Sequence, residues 1–160
     1  MKILLSLQSM IALKLTNEEG AMKLEDRVVK SIAKRSGVVI LRSELASLGS
    51  SAQLGRVLAS LVAQGKLVRV SKGVFAKTRI NRFTGQPTPA GTFEDIAAET
   101  FRKLGVTIAP SQRMVEYNSG QTTQIPADGC VNTGKRRIFR KIQVGNRIVQ
   151  YEKNHRRTAH

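Results

Sequence analysis

Apolar residues in the first half of the chain recur with the spacing of one-sided helices. Leu24, Val28, Val29, Ile32 and Ala33 share one helical face, and Gly37 ends the segment. Leu54, Val57, Leu58, Leu61 and Val62 fall at i, i+3, i+4, i+7 and i+8. They predict a helix capped by Ser50 or Ser51, running to about Gln64 and closed by Gly65. The short β-branched run 38–41 predicts a brief strand. Ser43 is the expected cap of a short helix, 44–48, with Gly49 as its stop. Alternation over 66–70 and 74–78 predicts a hairpin that turns at Ser71-Lys72-Gly73.

The resulting order is helix, short strand, helix, tight turn, helix, hairpin, which is that of a winged helix-turn-helix. The tight Gly49-Ser50 junction would set two helices at a steep angle, so that the second can enter a major groove while the first crosses the backbone. Winged domains that bind only protein share the same order.

The second half is predicted to be smaller-grained. Phe93, Ile96, Ala97, Thr100, Phe101 and Leu104 mark a helix capped by Thr92 and stopped by Gly105. Residues 106–109 read as a strand before Pro110, and Ser111 as the cap of a helix to about Asn118. Strands follow at 129–132, 137–144 and 147–151, the last two joined by a Gly145-Asn146 hairpin turn. Residues 81–92, with Gly85, Pro87, Pro89 and Gly91, read as a linker. The fold class is therefore α+β: an N-terminal winged helix-turn-helix (22–80), the linker (81–92), a small C-terminal α+β region with a β-hairpin (93–152) and a polar tail (153–160).

Residues 1–21 form an N-terminal extension to which no function is assigned. Their apolar stretch is interrupted by Ser6, Gln8 and Ser9, and no small-x-small cleavage site follows. Codons for Glu18-Glu19-Gly20 can spell a purine-rich ribosome-binding sequence just upstream of Met22, so translation is expected to begin at Met22.

Charge narrows the class of partner. The 160 residues carry 27 Lys and Arg against 11 Asp and Glu, a formal net charge of +16. Residues 22–80 hold +9 and residues 132–160 hold +8, while 81–131 sum to −1. An excess of this size points to a polyanion. With 41% hydrophobic residues the chain is expected to be globular. The single Cys130 excludes a disulfide within one chain and fits a reducing, cytoplasmic setting. No apolar run reaches the roughly 20 residues of a membrane span.

On the second helix of the turn, Ser51, Ala52, Gln53, Arg56, Ser60 and Ala63 should face solvent. Gln53 is the candidate for adenine N6/N7 and Arg56 for guanine O6/N7. Ser51 and the free N–H groups of the helix start suit a backbone phosphate. Arg69, Lys72 and Lys77 would decorate the wing and reach phosphates, or else form a charged edge that discourages strand pairing. Gly55 lies inside a helix, where it costs about 1 kcal/mol against Ala. It serves either close packing of the preceding helix or close approach of a DNA backbone.

Lys135, Arg136, Arg137, Arg140, Lys141 and Arg147 form a second basic surface on the C-terminal strands. Alternation puts Arg137, Phe139 and Lys141 on one face, which either stacks on or tracks a nucleic-acid backbone or is simply a solvated charged face. Residues 129–136 come close to the phosphate-binding pattern G-x-x-x-x-G-K-[ST], but Arg136 replaces the hydroxyl residue and a strand follows instead of a helix, so a Gly-rich turn is expected. His155 and His160 lie in the tail, away from Cys130, and the carboxylates show no catalytic spacing. No enzyme activity, metal or cofactor is expected.

Two stretches resemble the AbiEi-like antitoxins of type IV, abortive-infection toxin–antitoxin systems. Residues 45–50 and 58–69 are similar to their winged helix, and Lys72-Gly73-Val74-Phe75 to their Arg-Gly-Val-Tyr wing pattern. Residues 118–126 are similar to their N-x-L-G-L-[ST]-T-Q-V-P segment, with Ser119-Gly120-Gln121 in place of Leu-Gly-Leu. Residues 134–147 are similar to their G-x-x-R-x-[IL]-R-[IV]-G-N hairpin. The resemblance covers about residues 24–152. It implies a transcriptional regulator that binds inverted repeats in double-stranded DNA at its own promoter. It also implies a C-terminal region that counters a nucleotidyltransferase-type toxin in phage defence. An RNA-binding or translation-associated basic protein is the alternative expectation, followed by a protein-binding inhibitor that uses the winged surface.

Overall fold

The computed structural model describes residues 23–124 and 129–152. The N-terminal extension, the polar tail with both histidines, and Ile125 and Pro126 of the motif at 118–126 lie outside the described residues. The architecture is α+β, with helices on both sides of an antiparallel sheet.

Helix α1 (Leu24–Lys34) places Glu25 and Asp26 in its first turn and Lys34 in its last, complementing the helix dipole. Strand β1 (Val39–Leu41) leads directly into a 3₁₀ helix, Arg42–Leu48. Here the expectation for Ser43 is corrected. The helix starts two residues earlier, and its first turn is tied by the Glu44 carboxylate, which accepts from the Leu41 N–H at 2.8 Å. Helix α2 (Ser51–Ala63) has Ser50 as its cap: Ser50 Oγ accepts from the Gln53 N–H at 3.3 Å, and Gln53 Oε1 accepts from the Ser50 N–H at 3.2 Å. Gly65, at φ +74°, makes the left-handed turn out of this helix.

Strands β2 (Leu67–Ser71) and β3 (Val74–Ile80) pair antiparallel around a Lys72-Gly73 turn, and β1 pairs with the other edge of β3. Part of the expected linker belongs to this sheet. Strand β4 (Pro87–Pro89) pairs with residues 78–80 of β3, and the Ala90 N–H donates to the Lys77 carbonyl at 2.9 Å. Proline is tolerated there because β4 is a short edge strand.

Alternation along β1 and β3 buries both faces of the sheet. Ile40 and Phe75 join Val28, Leu45, Leu54, Leu58 and Leu61 in a core under α1, the 3₁₀ helix and α2. Val39, Val74 and Ala76 point the other way and join Phe93, Ile96 and Phe101 of helix α3 (Phe93–Lys103) with Ile142, Val144 and Val149. A strand with two buried faces needs a continuous apolar run, as residues 38–41 provide. Both halves of the chain thus share the second core.

The remaining elements are short: β5 (Ala109–Pro110), α4 (Gln112–Asn118), β6 (Cys130–Asn132), β7 (Gln143–Val144), β8 (Arg147–Ile148) and β9 (Gln150–Tyr151). Thr92 and Ser111 cap α3 and α4 through their hydroxyl oxygens, as their positions predict. β6 pairs antiparallel with β5 and parallel with β9, while β7 and β8 form the Gly145-Asn146 hairpin. The expected strand 137–144 is paired only over Gln143–Val144. The Ile142 carbonyl still accepts from the Val149 N–H at 2.9 Å, while residues 137–141 run on without a strand partner, yet the stretch keeps the expected alternation, with Ile142 buried and Phe139 exposed. No helix follows Gly134, so the stretch 129–136 lacks the strand–loop–helix form that a phosphate-binding loop requires. Among the described residues, no helix is long and apolar enough to cross a membrane.

Candidate functional site

Helix α2 turns Leu54, Leu58 and Leu61 into the core, which leaves Ser51, Ala52, Gln53, Arg56 and Ala63 exposed as their spacing predicts; Ser60 is half-buried. Arg56 projects from this face with no acidic partner among the described residues. Gln53 also lies on the face, but its amide oxygen accepts from both the N–H and the Oγ of Ser50, so contact with a base would exchange these bonds.

Arg42, which sequence patterns did not single out, closes over the start of this helix. Its guanidinium Nη2 donates to the Ser51 carbonyl and, at 2.6 Å, to Ser51 Oγ. Ser51 is therefore held by an arginine, and an anion near it would meet that arginine first. Nothing local marks Arg42: it lies nine residues from Ser51, and only the fold of the 3₁₀ helix brings it back.

Gly55 faces the same guanidinium. A Cβ at this position would lie 3.5 Å from Arg42 Nη2, an ordinary van der Waals distance. Packing of the preceding element therefore does not require glycine.

Among the expected hairpin cations, Lys72 is exposed at the β2–β3 turn and Arg69 is exposed on β2. Lys77 is placed differently. It pairs with Leu67 at the far end of the hairpin, and its half-buried ammonium donates to the Arg35 carbonyl beyond α1. It helps tie α1 to the sheet and does not face the turn.

The expected second basic surface divides. Arg136 Nη1 donates to the Gly105 carbonyl at 3.2 Å, beyond the C-terminal end of α3. Arg147 pairs with Glu94 at 2.8 Å and lies 4.2 Å above the buried Phe93 ring, at the N-terminal end of the same helix. An eleven-residue helix separates its ends by roughly 16 Å, so these two arginines serve different sites. Lys135, Arg137 and Lys141 remain exposed. Arg140 reaches across to the β2–β3 turn, where Nη1 donates to the Lys72 carbonyl at 2.6 Å and to Ser71 Oγ at 3.4 Å. The Tyr151 hydroxyl fixes it from behind by donating to the Arg140 carbonyl at 2.6 Å. Burial pushes the Tyr151 phenol up, partly offset by the Arg140 charge.

Other cations are neutralised inside the structure. Lys103 lies 3.1 Å from Glu44 and donates to the Val39 carbonyl at 2.6 Å, while Arg35 lies 3.6 Å from Glu44. Burial pushes the Glu44 carboxyl up, but the Leu41 N–H, Lys103 and Arg35 together outweigh it and hold the group below its ordinary value. This network anchors α3 to β1 and the 3₁₀ helix.

Between the 3₁₀ helix, the start of α2 and the β2–β3 turn lies an open cleft of about 430 Å³. Arg42, Lys72 and Arg140 line it together with Ser51, Gly73 and Leu104, and among the described residues no carboxylate does. Among the described residues no group of three or more His, Cys, Asp or Glu is placed to hold a metal ion.

Residues 23–158 match DUF6088, a family of unknown function. The chain belongs to that family. The DUF6088 match spans the helical half, the shared sheet and the C-terminal strands as one unit. No curated protein and no solved structure matches the chain significantly.

Proposed function

We propose that this DUF6088 chain is a winged helix-turn-helix protein that binds double-stranded DNA and acts as an autoregulating, antitoxin-type transcriptional regulator. One observation carries the reading: the exposed face of α2, where Arg56 has no acidic partner among the described residues, stands beside a hairpin turn and a cleft with no carboxylate among its described lining residues. In a major groove, the early turns of α2 would meet base edges, with Arg56 donating to guanine O6/N7 and Gln53 reading adenine once it leaves the Ser50 cap. Arg69 and Lys72 would meet phosphates from the hairpin, which then acts as the wing.

The antitoxin part of the proposal rests on the similarity of residues 118–126 and 134–147 to the AbiEi-like pattern. It makes a nucleotidyltransferase-type toxin the functional partner, acting in the cytoplasm. A nucleotidyltransferase reading frame beside the native gene supports that part, and its absence across genomes that carry the gene counts against it.

Two exposed aromatics favour a second reading. Phe83 is 98% exposed between Arg82 and Thr84, and Phe139 is 89% exposed beside Arg140. Both offer stacking platforms for unpaired bases of RNA. Competition between the native promoter duplex and a structured RNA at fixed salt decides between the readings. The DNA reading expects the duplex to win and Arg56→Ala to lower its affinity at least tenfold. Preference for the RNA, or no salt-sensitive affinity for either, refutes it.

A further inference from the structure

Among the described residues, several cations are held by carboxylates: Arg35 and Lys103 by Glu44, and Arg147 by Glu94. Arg42, Lys72 and Arg140 differ. They come from three distant parts of the sequence, converge on one open cleft, and have no carboxylate among its described lining residues. Both arginines are also fixed in place. Arg42 spends one guanidinium nitrogen on Ser51, and its backbone N–H donates to the Gly73 carbonyl at 2.9 Å. Arg140 spends one nitrogen on the Lys72 carbonyl. The two carbonyls of the turn are thus bonded from opposite sides, and both guanidinium groups keep further N–H donors.

Cations that line one cleft repel one another, and an oxyanion between them relieves the repulsion. Guanidinium forks suit phosphate oxygens in particular.

We propose that Arg42, Lys72 and Arg140 form a clamp for one phosphodiester group of the bound duplex, so that the C-terminal region contributes directly to the same nucleic-acid interface as α2. The inference rests on the DNA reading above and extends it. Arg140, from the half of the chain beyond α3, becomes a binding residue and also holds the turn that carries Lys72. The clamp lies beside Ser51 at the start of α2, where a phosphate fixes the register of the helix in the groove.

The test measures affinity for the native promoter duplex by fluorescence anisotropy from about 50 to about 200 mM salt, for the full chain and for Lys72→Gln, Arg140→Gln, Arg140→Lys and Lys66→Gln. Lys66 is exposed at the other end of the hairpin and serves as the charge control. Each lost phosphate contact lowers the salt slope by about 0.9, so over this range the full chain should lose about threefold more affinity than Lys72→Gln or Arg140→Gln. Arg140→Lys should recover the slope, and Lys66→Gln should keep it. A lower affinity at unchanged slope would assign Arg140 a purely structural role and overturn the clamp, as would equal slopes for Arg140→Gln and Lys66→Gln. Inorganic phosphate, titrated at constant ionic strength, should not displace the duplex at millimolar concentration. Displacement would make free phosphate the ligand and also overturn the proposal. If the unsubstituted chain shows no salt-dependent duplex affinity, the DNA reading itself fails, an outcome separate from the others.

Discussion

Replacing Gly55 with Ala separates two reasons for a glycine inside a helix. In the middle of an exposed helical segment, Gly→Ala stabilises by about 1 kcal/mol, because alanine loses less backbone freedom on folding. The gain is realised only if the new methyl group fits. Here it fits: the nearest atoms are Arg42 Nη2 at 3.5 Å and Cζ at 4.0 Å, both at ordinary contact distance and both at the end of a flexible side chain. Gly55→Ala should therefore raise the unfolding free energy by about 0.5–1 kcal/mol, and a chain of this size should melt roughly 1–4 °C higher. Urea denaturation with an unchanged m-value and a thermal scan measure this directly. A loss of more than about 0.5 kcal/mol would refute the reasoning, because it would mean that the helix and Arg42 need the bare backbone. Duplex affinity, measured on the same variant, then has an independent sign. If a DNA backbone passes over this turn of α2, the methyl group lowers affinity while stability rises, which no packing role for Gly55 produces.

Three other substitutions probe the frame around the site. Gly129→Ala would place a Cβ 2.3 Å from Cε1 of the buried Phe93 ring and should cost about 1–3 kcal/mol in denaturant unfolding. Leu58→Ala empties a fully buried position beneath α2 and should cost about 2–5 kcal/mol in the same assay. Glu44→Gln removes the carboxylate that holds Lys103 and Arg35 and should cost about 1–3 kcal/mol at neutral pH. Because the folded-state value of Glu44 lies below its ordinary 4.5, its contribution is complete above that pH and is lost as pH falls through the folded value. The decline of stability with acid should be shallower in Glu44→Gln, and parallel curves for the two proteins would count against the network.

Local patterns in the chain determined most of the elements. Leu54, Leu58 and Leu61 set the buried face of α2 because a helix repeats every 3.6 residues, and that alone put Arg56 on the outside. Ser50, Thr92 and Ser111 marked helix starts because their hydroxyls satisfy amides three residues on, a contact that needs no distant partner. Tertiary structure decided what those patterns leave open. Residues 137–141 alternate like a strand, yet join no ladder, because alternation fixes only which side chains are buried, and a ladder also needs a neighbouring edge. Pro87–Pro89 looked like a linker because proline usually interrupts sheets, but an edge strand asks less of its N–H groups. Charge was the least local property of all. The sequence counted the cations, but only folding decided that Lys103 and Arg147 meet carboxylates, that Lys77 turns to the Arg35 carbonyl, and that Arg42, Lys72 and Arg140 are left together on one open cleft. Such pairings depend on contacts as far as 69 residues apart, between Arg140 and Ser71, which no spacing along the chain encodes.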